Sequence, residues 1–157
     1  MEIKLYTTTK ELGKRRIEVI VRESIAWCKE NLGINRRRKE EINYLLYSQE
    51  KSQDGTRNLG CYDPSFNTIG VSYNLNKNVR ELINTIIHEY QHSLQPISYY
   101  RKYDKQYGYY NNPLEVEARM VAEKNYFLLW EEIQENLENI LTKKKKSTNI
   151  VRHFGEL

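Results

Sequence analysis

Five consecutive residues carry the side chains best suited to chemistry in this chain: His88-Glu89-Tyr90-Gln91-His92. Residues four apart lie on the same face of an α-helix, so His88 and His92 can present two imidazole nitrogens to one Zn²⁺ ion. Glu89 follows the first histidine by one position, where its carboxylate can reach a water on the metal and accept its proton. The pattern therefore predicts a zinc site with His88 and His92 as ligands and Glu89 as the general base. The alternative is a solvated helix face that carries two histidines by chance.

The element that must position these residues is a helix, and the flanking sequence predicts one. Asn78 is a residue type that caps helix N-termini, and Pro96 would end the helix soon after the motif. Apolar residues between them recur at steps of three and four and form one stripe. The two histidines fall roughly opposite the centre of that stripe, so we expect them to face a cleft while the stripe packs on the core. The stripe comprises Val79, Leu82, Ile83, Ile86, Ile87, Tyr90 and Leu94.

A third ligand must come from elsewhere, because a catalytic zinc ion needs three protein ligands and an open position. The one histidine outside the motif, His153, lies in a polar tail. A second helix is predicted to open with Asn112 as its N-cap and Pro113 as its first residue. Glu115 then occupies the third helical position, where it can complete a capping box or bind the metal. Glu117 is its rival as ligand, because a helix cannot direct positions i and i+2 at one point.

Six tyrosines crowd residues 97–111, which we predict to form a loop between these two helices. A tyrosine combines a flat apolar face with a hydroxyl, which suits a cleft wall or a donor to a developing oxyanion. We therefore take Tyr107, Tyr109 and Tyr110 as candidates for oxyanion or substrate contacts. The alternative for each of them is that it covers the core beneath a long loop.

The remaining segments predict an α+β fold. Residues 10–31 have apolar positions at helical spacing, and residues 41–48 have the composition of a strand. Residues 59–73 have the pattern of a hairpin with its turn at residues 63–65. The helix that begins near Pro113 keeps its apolar pattern to about residue 141. We expect a short antiparallel sheet packed against an N-terminal helix, the motif helix and a long C-terminal helix.

Length and composition favour a single domain. A chain of 157 residues is long enough for one real core and too short for two, and we assign residues 1–142 to it. Residues 143–157 begin with four lysines and are expected to form a loosely ordered basic tail. We see no membrane-spanning run and no signal peptide, so we expect a cytoplasmic protein, or a virion-associated one if it is phage-encoded. Cys28 and Cys61 suggest neither a disulfide framework nor a thiolate zinc site, and each is expected to fill a gap in the core.

On these residues the chain resembles a small zincin of the gluzincin type, in which H-E-x-x-H on one helix is joined by a glutamate from a following helix. Residues 115–118, Glu-Val-Glu-Ala, are similar to the E-x-x-A pattern of that second helix in ImmA/IrrE-like and M48-like metallopeptidases, and the match puts the third ligand at Glu115. Residues 62–64 with the strand after them, followed by residues 85–89, are similar to the core of SprT-like metallopeptidases. The resemblance covers roughly residues 59–123. It implies a zincin-like fold, one Zn²⁺ per chain and hydrolysis of peptide bonds.

The expected function is that of a zinc metallopeptidase acting on a peptide or protein substrate, with a partner protein that contributes to specificity. Two other classes stay open. A catalytically silent zincin scaffold, virus-borne, would serve binding or structure, and a fourth protein ligand would close its metal site. A protease associated with nucleic acid would use the basic residues 36–39 and 143–146, although a solvated surface is the simpler interpretation of both clusters.

Overall fold

Helices dominate the computed structural model of the protein, which describes residues 1–50 and 52–155, with side chains as far as residue 142. The helices are α1 (Thr9–Leu12), α2 (Lys14–Asn31), α3 (Val79–Leu94), α4 (Tyr100–Asn111) and α5 (Pro113–Gly155), and a 3₁₀ turn (Ile97–Tyr99) precedes α4. Three strands, β1 (Asn43–Tyr47), β2 (Gly60–Asp63) and β3 (Thr68–Ser72), form one sheet. The α+β class expected from the sequence is confirmed.

The sheet is mixed, whereas an antiparallel sheet was expected. Its order is β1-β3-β2, and β2 and β3 form the predicted antiparallel hairpin. The first strand, β1, pairs in parallel with β3, with Tyr44 opposite Ile69. The physical reason is that β3 lies between β1 and β2. Since β1 and β2 run in opposite directions, a strand placed between them must be parallel to one of them.

The N-terminal helical segment is divided at Gly13, so the single helix expected over residues 10–31 is wrong at its start. Gly13 has φ 78° and ψ 161°, a backbone conformation that an L-residue with a side chain rarely adopts. Its N–H donates to the carbonyl of Thr9 and closes α1, while Thr8 caps the first turn of that helix. The second helix, α2, then covers the rest of the predicted segment.

The core lies between the sheet and helices α2, α3 and α5, and α3 is its centre. That helix contacts α2, α5, β2 and β3. The predicted apolar stripe is buried from Val79 to Tyr90, with Ile83, Ile86 and Ile87 fully enclosed. Burial of an isoleucine side chain stabilises a fold by roughly 1.5–3 kcal/mol. The stripe therefore anchors α3 firmly and determines the direction in which its opposite face points.

The tyrosine-rich segment is helical, so the loop expected over residues 97–111 is wrong. Neither glycine nor proline occurs between Tyr99 and Tyr107, and the rings of tyrosines four residues apart pack against each other. The ring centroids of Tyr99 and Tyr103 are 6.0 Å apart, and those of Tyr103 and Tyr107 are 6.3 Å apart. Gly108, with φ 78° and ψ 171°, then breaks the helix. The direction of the chain therefore changes just before Tyr109.

The last helix begins as predicted and continues further than predicted. The side chain of Asn112 accepts a hydrogen bond from the N–H of Leu114 at 3.0 Å, and Pro113 is the first residue of α5. Helical backbone continues past Leu141 to Gly155. The tail interpretation of residues 143–157 stays a prediction, because the side chains of residues 143–155 and all of residues 156–157 lie outside the description. Among the described residues, no helix combines the length and the apolar character that crossing a membrane requires.

Candidate metal centre

The H-E-x-x-H residues lie on one helix, as the sequence predicts. Asn78 caps α3 by accepting a hydrogen bond from the N–H of Glu81 at 2.9 Å. One turn separates His88 from His92, and their ring centroids are 5.0 Å apart. His88, Glu89 and His92 each offer one potential ligand atom, and these atoms lie within 4.8 Å of one another. The helix therefore brings together a group of side chains that can bind a metal ion.

Glu115 reaches this group from α5. Its Oε1 is 2.7 Å from His92 Nε2, and its Oε2 is 3.2 Å from His88 Nε2. The residue is 3% exposed, and its carboxylate contacts the histidines instead of completing a capping box. Two imidazole nitrogens and one carboxylate thus converge, and this is a donor set that binds Zn²⁺ in proteins. The chemistry of these donors fits the ion that the sequence predicts.

Glu117, the rival ligand, points away from the two histidines. Its Oε1 accepts hydrogen bonds from Gln91 Nε2 at 2.7 Å and from Gln95 Nε2 at 3.1 Å. Because Glu117 lies two positions beyond Glu115 on α5, its side chain leaves the helix in a different direction. The structure brings Glu115 to the histidines and uses Glu117 to hold the amides of two glutamines.

Opposite charges dominate the electrostatics of the Glu115–His92 pair. Burial opposes ionisation of Glu115, but the hydrogen bonds with His88 and His92 outweigh it and hold the pKa of that carboxyl well below its usual range. Burial likewise opposes protonation of His92, yet its hydrogen bonds with Glu115 and Gln95 raise the pKa of the imidazole. In the absence of a metal ion, the carboxylate and the imidazolium stabilise each other.

Glu89 has the environment of a proton acceptor. Burial raises the pKa of its carboxyl, the two histidines oppose that change, and Glu115 adds to it. A carboxylate with a raised pKa holds a proton more readily than an ordinary glutamate does. Glu89 lines a cleft of about 470 Å³ together with His92 and Glu115. It is therefore poised to exchange a proton with a molecule in that cleft.

The cleft runs between the edge strand β2 and helix α4. Its walls include Gly60, Cys61, Tyr62, Tyr100, Arg101 and Tyr109. A β-carbon at position 60 would lie 2.6 Å from Thr85 Cγ2, 2.9 Å from Gly70 O and 3.4 Å from Glu89 Cγ. The absence of a side chain at Gly60 therefore lets β2 lie directly against α3 beside Glu89.

One of the three candidate tyrosines, Tyr109, lines the cleft. Tyr109 follows the break at Gly108 and is 62% exposed as a whole residue, but partial burial in the cleft, followed by the charge of Glu115, raises its pKa to about 12. Tyr107 and Tyr110 do not line the cleft. The Tyr110 ring instead lies under the guanidinium of Arg119, 4.4 Å from its centroid. The structure therefore does not bring Tyr107 and Tyr110 to the site.

Sequence reasoning missed three residues at this site. Tyr100 donates a hydrogen bond to Glu115 Oε1 at 3.3 Å, and its ring lies edge-on to that of His92. Gln95 contacts His92 Nδ1 at 2.6 Å, just beyond the end of α3. Cys61 was expected in the core, and that is correct for Cys28, but Cys61 is exposed and lines the cleft. Successive side chains of a strand point to opposite faces, and a β-carbon at position 60 would face Thr85 of α3, so Cys61 points away from the core. This depends on which face of β2 packs on α3, which the sequence of the strand does not show.

The first basic cluster has a structural role in part. Arg38 donates to the carbonyl of Pro64 at 2.6 Å, and its guanidinium lies 5.4 Å from the centroid of the Tyr62 ring. These contacts tie the segment before β1 to the turn of the β2–β3 hairpin.

Comparison of the chain with protein-family models, with curated proteins and with solved structures found no match.

Proposed function

We propose that this protein is a zincin-like zinc metallopeptidase of the gluzincin type, which hydrolyses peptide bonds. The observation that carries the proposal is the convergence of His88, His92 and Glu115 beside a half-buried Glu89 that lines an open cleft. Two imidazoles and a carboxylate form the ligand set of a catalytic zinc ion, which keeps one position for water or substrate. Bound there, one zinc ion per chain would polarise a substrate carbonyl and lower the pKa of a water.

Glu89 is the general base in this proposal. Its carboxylate accepts a proton from the attacking water and passes that proton to the amine nitrogen that leaves when the peptide bond breaks. The raised pKa of Glu89 favours the first transfer, because it strengthens the base.

The cleft walls bind and orient the substrate. The free edge of β2 can pair with an extended peptide by strand addition, since β2 is hydrogen-bonded to β3 on one side and lines the cleft. On the opposite wall, the phenolic hydroxyl of Tyr109 donates a hydrogen bond to the oxyanion that develops on the substrate carbonyl. Tyr100 holds Glu115 by its hydrogen bond and thereby orients the carboxylate.

Replacement of the base tests this function. The wild-type chain and Glu89→Gln would be incubated with a mixed peptide library at saturating zinc, and cleavage would be followed by mass spectrometry. We expect both proteins to bind zinc and Glu89→Gln to cleave about 10²- to 10⁴-fold more slowly. The matched control is Glu123→Gln, the same change at an exposed glutamate on α5 that pairs with Arg80. Equal cleavage by Glu89→Gln and the control would contradict the mechanism.

The other two classes predict different results, one in the cleavage assay and one in a DNA-binding assay. A catalytically silent scaffold would bind zinc and cleave nothing in any variant. A protease associated with nucleic acid would also bind DNA, with an affinity that falls steeply as salt increases. We prefer the peptidase because the cleft is open beside Glu89, whereas a purely structural zinc site is closed by a fourth protein ligand.

A further inference from the structure

The amide of Gln95 is held in one orientation. Gln95 is 4% exposed and follows the last residue of α3. Its Nε2 donates to the carbonyl of Leu114 at 2.8 Å and to Glu117 Oε1 at 3.1 Å. Both of these partners are acceptors, so the nitrogen of the amide must face them. The amide oxygen then has to face the other way, toward His92.

This orientation determines which nitrogen of His92 carries a hydrogen. Gln95 Oε1 lies 2.6 Å from His92 Nδ1, and an amide oxygen can only accept a hydrogen bond. The hydrogen must therefore be on Nδ1. In a neutral imidazole one ring nitrogen is protonated and the other has a free lone pair. When Nδ1 keeps its hydrogen, the nitrogen with the lone pair in the neutral ring is Nε2. In the metal-free chain Nε2 carries the second hydrogen of the imidazolium and donates it to Glu115 Oε1 at 2.7 Å.

The other histidine of the motif has no comparable support. Among the residues that the structure describes, the His88 ring makes one polar contact, between its Nε2 and Glu115. The ring of His92, in contrast, is held at both nitrogens and is buried. Orientation of the metal-binding face therefore depends mainly on His92 and on the residue that holds its Nδ1.

We propose that Gln95 is the positioning residue of the metal centre: it holds His92 as the Nδ1–H tautomer, so that Nε2 presents its lone pair to the metal ion. The proposal rests on the function inferred above, because it concerns the same site. The carbonyl of Leu114, at the start of α5, anchors Gln95 and so couples the orientation of His92 to the helix that carries Glu115. Glu117 is exposed and adds a weaker anchor.

A partner that orients a metal-binding histidine typically contributes 10- to 100-fold to metal affinity. We therefore expect Gln95→Leu to bind zinc about 10- to 100-fold more weakly than the wild-type chain. Gln91→Leu is the matched control, since Gln91 lies on α3 four residues before Gln95 and its amide contacts Glu117 but neither histidine. That control should change the zinc affinity less than about twofold, as expected for a surface substitution. Competition with a chromophoric chelator measures all three dissociation constants.

The hydrogen bond from His92 Nδ1–H to Gln95 gives a readout that requires neither zinc nor activity. Long-range ¹H–¹⁵N correlation spectra of the metal-free chain, recorded at a pH where His92 is an imidazolium, resolve its Nδ1–H from its Nε2–H. We expect a slowly exchanging His92 Nδ1–H in the wild-type chain, protected by its hydrogen bond to Gln95, and loss of that protection in Gln95→Leu. The wild-type spectrum is decisive even if Gln95→Leu fails to fold.

The outcomes separate this inference from the proposed function. A rapidly exchanging His92 Nδ1–H in the wild-type chain would overturn the role of Gln95, and so would equal spectra for wild type and Gln95→Leu. An equal loss of zinc affinity in Gln91→Leu and Gln95→Leu would also overturn it. Failure of the wild-type chain to bind zinc, together with a protected His92 Nδ1–H, would reject the peptidase and leave the hydrogen-bonding role of Gln95 supported.

Discussion

Gly60 is the position where a single methyl group should disturb both the fold and the site. In Gly60→Ala the added β-carbon would lie 2.6 Å from Thr85 Cγ2 and 2.9 Å from the carbonyl oxygen of Gly70. The second atom is backbone of the neighbouring strand, so β2 itself has to move. Overpacking of this kind costs about 1–3 kcal/mol. For a chain of this size, each kcal/mol lost from the free energy of unfolding lowers the melting temperature by about 2–4 °C. We therefore expect the melting temperature of Gly60→Ala to decrease by about 2–12 °C.

A second substitution can show that the clash is the cause. Thr85→Ser removes the Cγ2 methyl group and keeps the hydroxyl that donates to Asn76 Oδ1 at 2.8 Å. The double variant Gly60→Ala with Thr85→Ser should therefore be more stable than the sum of the two single changes predicts, by about 0.5–1 kcal/mol. Thermal unfolding followed by circular dichroism measures all four proteins. Strict additivity, or a melting temperature of Gly60→Ala equal to that of the wild type, would refute the reasoning.

Three further predictions concern the pair of charges, the cleft wall and the start of α5. In the metal-free protein the lowered pKa of Glu115 adds stability above its ordinary value of 4.5, and the raised pKa of His92 adds stability below its ordinary value of 6.5. The pair should therefore contribute most to the melting temperature of chelator-treated protein between these two pH values. Stabilisation by added zinc should increase with pH. A contribution of the pair that is smallest between these pH values, or zinc stabilisation that decreases with pH, would contradict this. Tyr109→Phe should lower kcat with little change in KM, whereas Tyr107→Phe should leave both unchanged, and equal kinetics of the two variants would argue against Tyr109. Asn112→Ala should destabilise the fold by about 1 kcal/mol through loss of the cap of α5, and denaturant unfolding with no change in midpoint would refute it.

The helix that carries the motif could be predicted because its information is local. The cap Asn78, the stripe that ends near Leu94 and the four-residue spacing of the histidines are all contained in one continuous segment. Such a pattern leaves one way to turn the apolar face toward the core. The start of α5 at Pro113, with Asn112 as its cap, could be predicted for the same reason.

The features that sequence reasoning missed depend on contacts between distant segments. Parallel pairing of β1 follows from the insertion of β3 beside it, and no residue of β1 signals that neighbour. The choice among the tyrosines depends on the backbone at Gly108, which turns Tyr109 and not Tyr107 into the cleft. Gln95 acquires its role only when α5 brings the carbonyl of Leu114 within hydrogen-bonding distance.

Helical structure in the tyrosine-rich segment was missed for a different reason. Tyrosine has an intermediate helix propensity, so a segment with six of them is ambiguous when read alone. Stacking between Tyr99 and Tyr103 supplies the stabilisation that intrinsic propensity does not. The docking of Tyr100 on His92 and Glu115 then holds the helix beside the cleft.

The most direct test of the central claim is the zinc content of the purified protein. Native mass spectrometry would be applied to the chain purified without chelator, to His88→Ala and to Glu115→Ala. We expect one zinc ion per wild-type chain, no zinc in His88→Ala and weakened binding in Glu115→Ala. A wild-type chain without zinc, or a His88→Ala variant that retains it in full, would contradict the proposed metal centre.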